Sequence, residues 1–304
     1  MFNNKYCLRL LLGWCCLWPA FGVALNHPPI QIVAAENFYG ELAKKIGGQR
    51  VTVTSILKQP DQDPHFFNMG PKLARKIVDA ELVIYNGLGY DAWMIPLLST
   101  RSMPTRSVII VADLLNKKAG DNPHIWYDPK AMLHYAKALL AYFIQRDPQY
   151  STEYQARFQQ FQKQYAALTK IIERIRNRHQ HTAIIAAESV FGEMARCLKL
   201  SMLSEDFQKQ MINGNEPSLR QVKAFENALR QRQAKVLIHN LQVVNPLTSR
   251  MIHIAQQHKI PIVSVTEIQP TGLSYIRWML TQLQQLEKAL DDSFLTATQN
   301  LPVL

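Results

Sequence analysis

The 304-residue sequence predicts an α/β fold in two lobes, each a mostly parallel sheet flanked by helices, with one long helix joining them. Three observations predict it. Short apolar runs alternate with amphipathic helical patterns, the rhythm of parallel sheets covered on both faces. The rhythm occurs twice, once on each side of residues 148–180. The stretch between carries one unbroken apolar stripe at helical spacing.

In the first half, Gln31–Ala35 reads as a strand and Asn37–Ile46 as a helix stopped by Gly47-Gly48. Val51–Leu57 alternates as a strand does. Pro71–Ala80 is a helix with proline in its first turn. Glu81–Asn86 is a strand that runs into the tight turn Gly87-Leu88-Gly89, and Val108–Val111 is another strand. Asp128 is placed to cap a helix over Pro129–Arg146. The second half gives strands at Thr182–Ala187, Lys235–His239 and Pro261–Thr266. Its helices are Val190–Leu200, Pro217–Gln231, Leu247–His258 and Tyr275–Leu290.

Between the halves, Tyr150, Tyr154, Phe158, Phe161, Tyr165, Leu168, Ile172 and Ile175 recur every three or four positions. About 30 residues at 1.5 Å each span roughly 45 Å, more than the width of a small lobe. The stripe is aromatic, unlike the leucine and isoleucine seam of a coiled coil, so the helix is expected to lie along both lobes. The division is therefore 25–147, a linking helix at 148–180, and 181–304.

Residues 1–24 stand apart. Lys5 and Arg9 precede an apolar run from Leu10 to Ala24, and Gly22-Val23-Ala24 offers small residues for cleavage. This is the pattern of a signal peptide cleaved near Ala24. The run is about 15 residues, short of a membrane span. Leu12-Gly13-Trp14-Cys15 has some likeness to a lipid-attachment site, but the bulky Trp14 argues against it. Cleavage removes Cys7, Cys15 and Cys16, leaving Cys197, so the exported protein holds together without an internal disulfide. Losing Lys5 and Arg9 lowers the formal charge from +11 to +9. The remaining basic residues are scattered among acids and glutamines, which describes a solvated surface and excludes nucleic acid as a partner.

Two nearly matching tripeptides carry the chemistry: Asp63-Pro64-His65 and Asn122-Pro123-His124. Proline stiffens the segment presenting each imidazole, and histidine is the commonest metal-binding side chain. In open parallel sheets, ligands bind beyond the carboxyl ends of strands. Four metal-capable side chains follow strands: His65, His124, Glu188 and Glu267, two from each half. Two neutral imidazoles and two carboxylates balance a divalent ion, and nitrogen and oxygen donors suit Zn2+, Mn2+ or Fe2+. His239 also ends a strand and is the rival for the fourth position. Asp63, Asn122 or backbone carbonyls would hold the outer ring nitrogens.

The chain resembles the metal-binding solute receptors of ABC importers, the cluster that carries zinc, manganese or iron. The resemblance rests on Ile46-Gly47-Gly48, Gln62-Asp63-Pro64-His65, the run from Tyr85 to Trp93, the run from Asn122 to Pro129, Glu188-Ser189-Val190-Phe191-Gly192 and Glu216-Pro217-Ser218. It implies two lobes on a rigid backbone helix with the metal, Zn2+ or Mn2+, between them. The first two histidine ligands map onto His65 and His124, the third ligand onto Glu188, and the fourth, usually aspartate, onto Glu267. The loop before His124 lacks the histidine-rich stretch of many zinc receptors, which weakens the zinc reading. The resemblance also implies a periplasmic location, delivery to an inner-membrane ABC permease with its ATPase, and a monomer.

Two other readings are open to the sequence. A secreted metallohydrolase would need an open coordination position, and the chain has no His-Glu-x-x-His run and no Gly-x-Ser-x-Gly turn. A receptor for a non-metal ligand would carry no bound ion.

Overall fold

The computed structural model describes residues 28–59, 62, 67, 70–99, 106–212, 215–243 and 245–298. The expected signal peptide lies outside them, as do Asp63, Pro64 and His65.

In the first lobe, β1 (Ile30–Glu36), β2 (Val51–Leu57), β3 (Leu82–Tyr85) and β4 (Ser107–Ile110) form one sheet in the order β2-β1-β3-β4. Every pairing is parallel. Four helices belong to it: α1 (Asn37–Gly47), α2 (Pro71–Val78), α3 (Met94–Ser99) and α4 (Pro129–Arg146). All four residues of β3 are buried, and Val33, Ala34 and Ala35 of β1 are buried in succession. Such runs without alternation belong to strands covered on both faces.

The linking helix α5 (Ser151–His179) begins after a 3-10 turn at Pro148–Tyr150. Its buried residues are Tyr154, Phe161, Tyr165, Leu168, Ile171, Ile172, Ile175 and His179. Of the expected stripe, Tyr150 and Phe158 are half-buried, and Ile171 joins it.

The second lobe repeats the first. Its strands β5 (Ala183–Ala186), β6 (Ser201–Leu203), β7 (Leu237–Asn240) and β8 (Ile262–Val265) run in the order β6-β5-β7-β8, again all parallel. The helices are α6 (Gly192–Cys197), α7 (Glu205–Ile212), α8 (Leu219–Arg230), α9 (Pro246–Gln257) and α10 (Tyr275–Thr298). The sequence patterns did not reveal α3, β6 or α7. Each is short, and β6 is a three-residue edge strand, too brief to establish a period. The helix expected over Val190–Leu200 is a 3-10 turn at Ser189–Phe191 followed by the shorter α6. Asp128 caps α4 as expected, its carboxylate accepting the Lys130 N–H at 2.9 Å.

The lobes share one core. A single cluster of buried apolar residues includes β1 and β3 of the first lobe, β5, β7 and β8 of the second, and α4, α5 and α10. Its centre is aromatic: Phe38 of α1 lies 5.0 Å from Trp126 and 5.8 Å from Trp278 of α10. Tyr127 lies 6.0 Å from Trp278 and 5.7 Å from Phe191. Trp126 and Trp278 are core residues, whereas Trp93 is half-buried against Phe67. Cys197 is half-buried, and burial pushes its thiol upward in pKa, away from reactivity. No described helix is long and apolar enough to cross a membrane.

Candidate metal centre

The two strand orders set the stage. In each sheet the first strand lies between the second and third, so the connections leaving it diverge and open a crevice at the carboxyl ends. Segments following β3, β4, β5, β7 and β8 converge there.

After β3 the chain makes a tight turn. Gly87 and Gly89 adopt φ of +85° and +80°, a region that disfavours side chains. A Cβ on Gly87 would lie 2.8 Å from Ile110 Cγ2. The Asp91 carboxylate closes the turn by accepting the Asn86 N–H at 2.5 Å and the Gly87 N–H at 2.9 Å. The Asn86 side chain donates to the Pro123 carbonyl at 2.8 Å and accepts from the Tyr39 hydroxyl at 2.7 Å. The β3 turn thereby fastens the loop that carries His124.

His124 is buried, and its ring Nδ1 lies 2.8 Å from Asn122 Oδ1. Asn122 donates through its Nδ2 to the Ser189 carbonyl at 2.8 Å, which identifies its other terminal atom as the acceptor. Nδ1 therefore carries the proton. Nε2 carries the lone pair, buried without a hydrogen-bond partner among the described residues and 3.7 Å from Glu267 Oε2. That distance is too long for a hydrogen bond. This is the tautomer a metal-binding imidazole needs, fixed by the partner of its second nitrogen.

The carboxylates come from the second lobe. Each stands one residue beyond its strand, Glu188 after Ala187 and Glu267 after Thr266, where the sequence suggested no gap. Glu267 is buried; Tyr90 donates its hydroxyl to Oε2 at 3.1 Å across the lobe boundary. Asn240, the last residue of β7, donates through Nδ2 to Glu188 Oε2 at 2.8 Å and to Glu267 Oε1 at 2.7 Å. Gln242 Oε1 accepts the backbone N–H groups of Glu267 and Ile268.

The structure thus sets Glu188 and Glu267 on the Asn240 amide, with His124 and Tyr90 facing Glu267. Among the described residues, no group of three His, Cys, Asp or Glu forms a set able to hold a metal ion. His65 lies outside the described residues. Gln62, which precedes its tripeptide, accepts on its backbone carbonyl from the Gln242 amide at 3.5 Å. His239 is half-buried, and burial lowers its pKa. It adjoins Asn240 in β7, and alternation along a strand sends the two side chains to opposite faces.

Sequence reasoning missed Asn240, Gln242 and Tyr90, because it sought ligand chemistry and these are hydrogen-bonding groups. A cavity of about 710 Å³ opens beside the site, lined by Tyr90, Asn122, Ser189, Arg196 and Lys209 among others. His124, Glu188 and Glu267 are not in its wall.

Residues 32–289 match the family described as zinc-uptake complex component A, periplasmic. The chain belongs to this family. A manganese ABC transporter substrate-binding lipoprotein of Streptococcus anginosus is 23% identical over 289 residues, covering 88% of this chain and 91% of that one. In structure the chain is similar to the periplasmic zinc-binding protein of Treponema pallidum, with a TM-score of 0.73, 17% identity and coverage of 87% and 99%. It is also similar to a manganese-bound periplasmic metal-binding protein from candidatus liberibacter asiaticus, with a TM-score of 0.71, 17% identity and coverage of 85% and 98%. The expected resemblance and two-lobed α/β fold are borne out. The family is one of substrate-binding receptors, so the chain is not an enzyme and the metallohydrolase reading falls.

Proposed function

We propose that the protein captures one divalent transition metal, zinc or manganese, between its lobes and hands it to an ABC permease driven by its ATPase. The observation that carries this reading is the His124 imidazole: proton held on Nδ1 by Asn122, bare Nε2 turned toward a carboxylate from the opposite lobe. His65, His124, Glu188 and Glu267 are the proposed ligands. Two carboxylates and two neutral imidazoles neutralise a 2+ charge, so the loaded site carries no net charge into the low-dielectric interior. No bond is broken. Binding draws together groups from two lobes, and release follows when docking on the permease separates them.

The reading includes export, removal of the leader near Ala24 and function as a monomer in the periplasm. Several curated relatives are named lipoproteins. Intact mass of the exported protein decides: a chain beginning near Leu25 is expected, and a lipid on Cys15 or Cys16 would replace the soluble receptor with an anchored one.

The functional test is calorimetric metal competition on apo-protein, with zinc, manganese and iron, for wild type and for alanine at His65, His124, Glu188 and Glu267. Wild type should bind about one ion, and each substitution should weaken binding by about 100-fold or more. Full affinity in His124→Ala, or no binding of any of the three metals by wild type, would overturn the proposal.

A further inference from the structure

One amide nitrogen holds both carboxylates. Asn240 is buried, and its Nδ2 donates one hydrogen to Glu188 Oε2 at 2.8 Å and the other to Glu267 Oε1 at 2.7 Å. Its orientation is fixed by chemistry: the Gln242 backbone N–H donates to Asn240 Oδ1 at 3.1 Å, so the atom facing the carboxylates is the nitrogen. Gln242 binds the Glu267–Ile268 backbone from the same loop, so the amide and the carboxylate it restrains move together.

An oxygen that accepts such a bond resists swinging round to chelate a cation beside its partner oxygen. Asn240 therefore leaves each carboxylate one oxygen that it does not hold, and Tyr90 further restrains that of Glu267 from the other lobe. We infer that Asn240 is a selectivity residue, which keeps Glu188 and Glu267 monodentate and so fits the site to four-coordinate zinc rather than six-coordinate manganese. The inference rests on the reading above, in which these carboxylates bind the metal. Two imidazole nitrogens and one oxygen from each carboxylate make four donors, the number zinc takes. Manganese suits octahedral, oxygen-rich surroundings, and two chelating carboxylates would supply the extra oxygens. A donor that merely screened two negative charges would weaken or strengthen both metals alike, whereas control of denticity changes their ratio.

The experiment measures zinc and manganese affinities by competition with chromophoric chelators for wild type, Asn240→Ala and the near-isosteric Asn240→Leu. X-ray absorption of the loaded proteins reads the number of oxygen neighbours. Zinc is favoured over manganese by intrinsic affinity in any such site, so the change in ratio is the readout. The zinc preference should fall by about tenfold or more in both variants, equivalent to about 1.4 kcal/mol, and manganese in the variants should show added oxygen neighbours. A ratio unchanged within about twofold, or a chelating carboxylate in zinc-loaded wild type, would overturn the inference. The wild-type spectrum decides even if neither variant folds. Wild type that binds neither metal would remove the receptor reading, and the inference with it.

Discussion

Behind the candidate site, two acids are buried side by side. Glu36 ends β1 and is fully buried; Asp91 closes the β3 turn and is almost as inaccessible. Burial pushes Glu36 well above the ordinary carboxylate range, and the neighbouring Asp91 charge pushes the same way. Burial also raises Asp91, to about 6, against the backbone N–H groups of Gly87 and Asn86, which favour its ionised form. The division of labour follows from the donors. Asp91 receives two N–H groups and is the ionised member. Neither Glu36 oxygen has a hydrogen-bond partner among the described residues, which suits a neutral acid beside the Asp91 charge. An acid whose pKa is raised by folding holds a proton that the unfolded chain has lost. Its stabilisation is complete below the unfolded pKa near 4 and is lost as pH rises to the folded value. Urea unfolding of wild type should therefore show stability falling as pH rises above about 4. Glu36→Gln keeps the shape and removes the Glu36 titration, so its stability should fall less over the same range. Parallel curves for the two proteins would show that Glu36 is ionised in the folded state.

At the scale of elements, α5 shows what a sequence can and cannot announce. Its stripe was legible because eight apolar side chains repeat at helical spacing over some 25 residues, a pattern no other periodicity produces. Phe161 is buried in it, whereas Gln159 faces solvent. Phe161→Ala should cost about 3–5 kcal/mol in urea denaturation, the price of a large core deletion, and Gln159→Ala less than about 0.5 kcal/mol. Equal effects would mean that the helix does not pack along this face. The helix expected from Pro217 begins two residues later, at Leu219, because Ser218 caps it: Gln221 accepts the Ser218 N–H at 2.8 Å in a capping box. By contrast, β6 and α7 left no readable period. Of the candidate site, His124, Glu188 and Glu267 were picked out by type and place, histidine after proline and acids after strands, and the structure sets all three beyond the strands. Asn240 was not, although it adjoins His239 in the segment weighed for a ligand. An asparagine ending a strand has many ordinary roles, and only the positions of Glu188 and Glu267 give this one meaning.

On the scale of the whole molecule, the repeated strand order suggests two independent halves, but the packing joins them. α5 is continuous for 29 residues, about 43 Å at helical rise, and it packs on α1 and α4 of the first lobe and on α10. Arg174 of α5 pairs with Glu287 of α10 at 2.6 Å, and Arg178 with Asp291 at 2.7 Å. The arginines of these pairs are exposed, so the pairs contribute little; the buried cluster around Phe38, Trp126, Tyr127 and Trp278 holds the lobes together. Two further bonds cross it, the Tyr127 hydroxyl donating to the Thr266 carbonyl at 2.7 Å and the Tyr275 hydroxyl to the Trp126 carbonyl at 2.7 Å. Neither lobe can lose its structure without exposing the aromatic core of the other. Calorimetry of the apo-protein should accordingly give one transition whose calorimetric and van't Hoff enthalpies agree. Zinc at about 1,000 times its Kd should move that single transition upward, equivalent to about 4 kcal/mol, without splitting it. Two resolved transitions, with only one of them shifted by metal, would instead describe lobes that fold separately and meet only around the ion. The stiff connection argued from α5 and the shared core would then be wrong, and closure on the metal would be a wide hinge motion rather than a small adjustment.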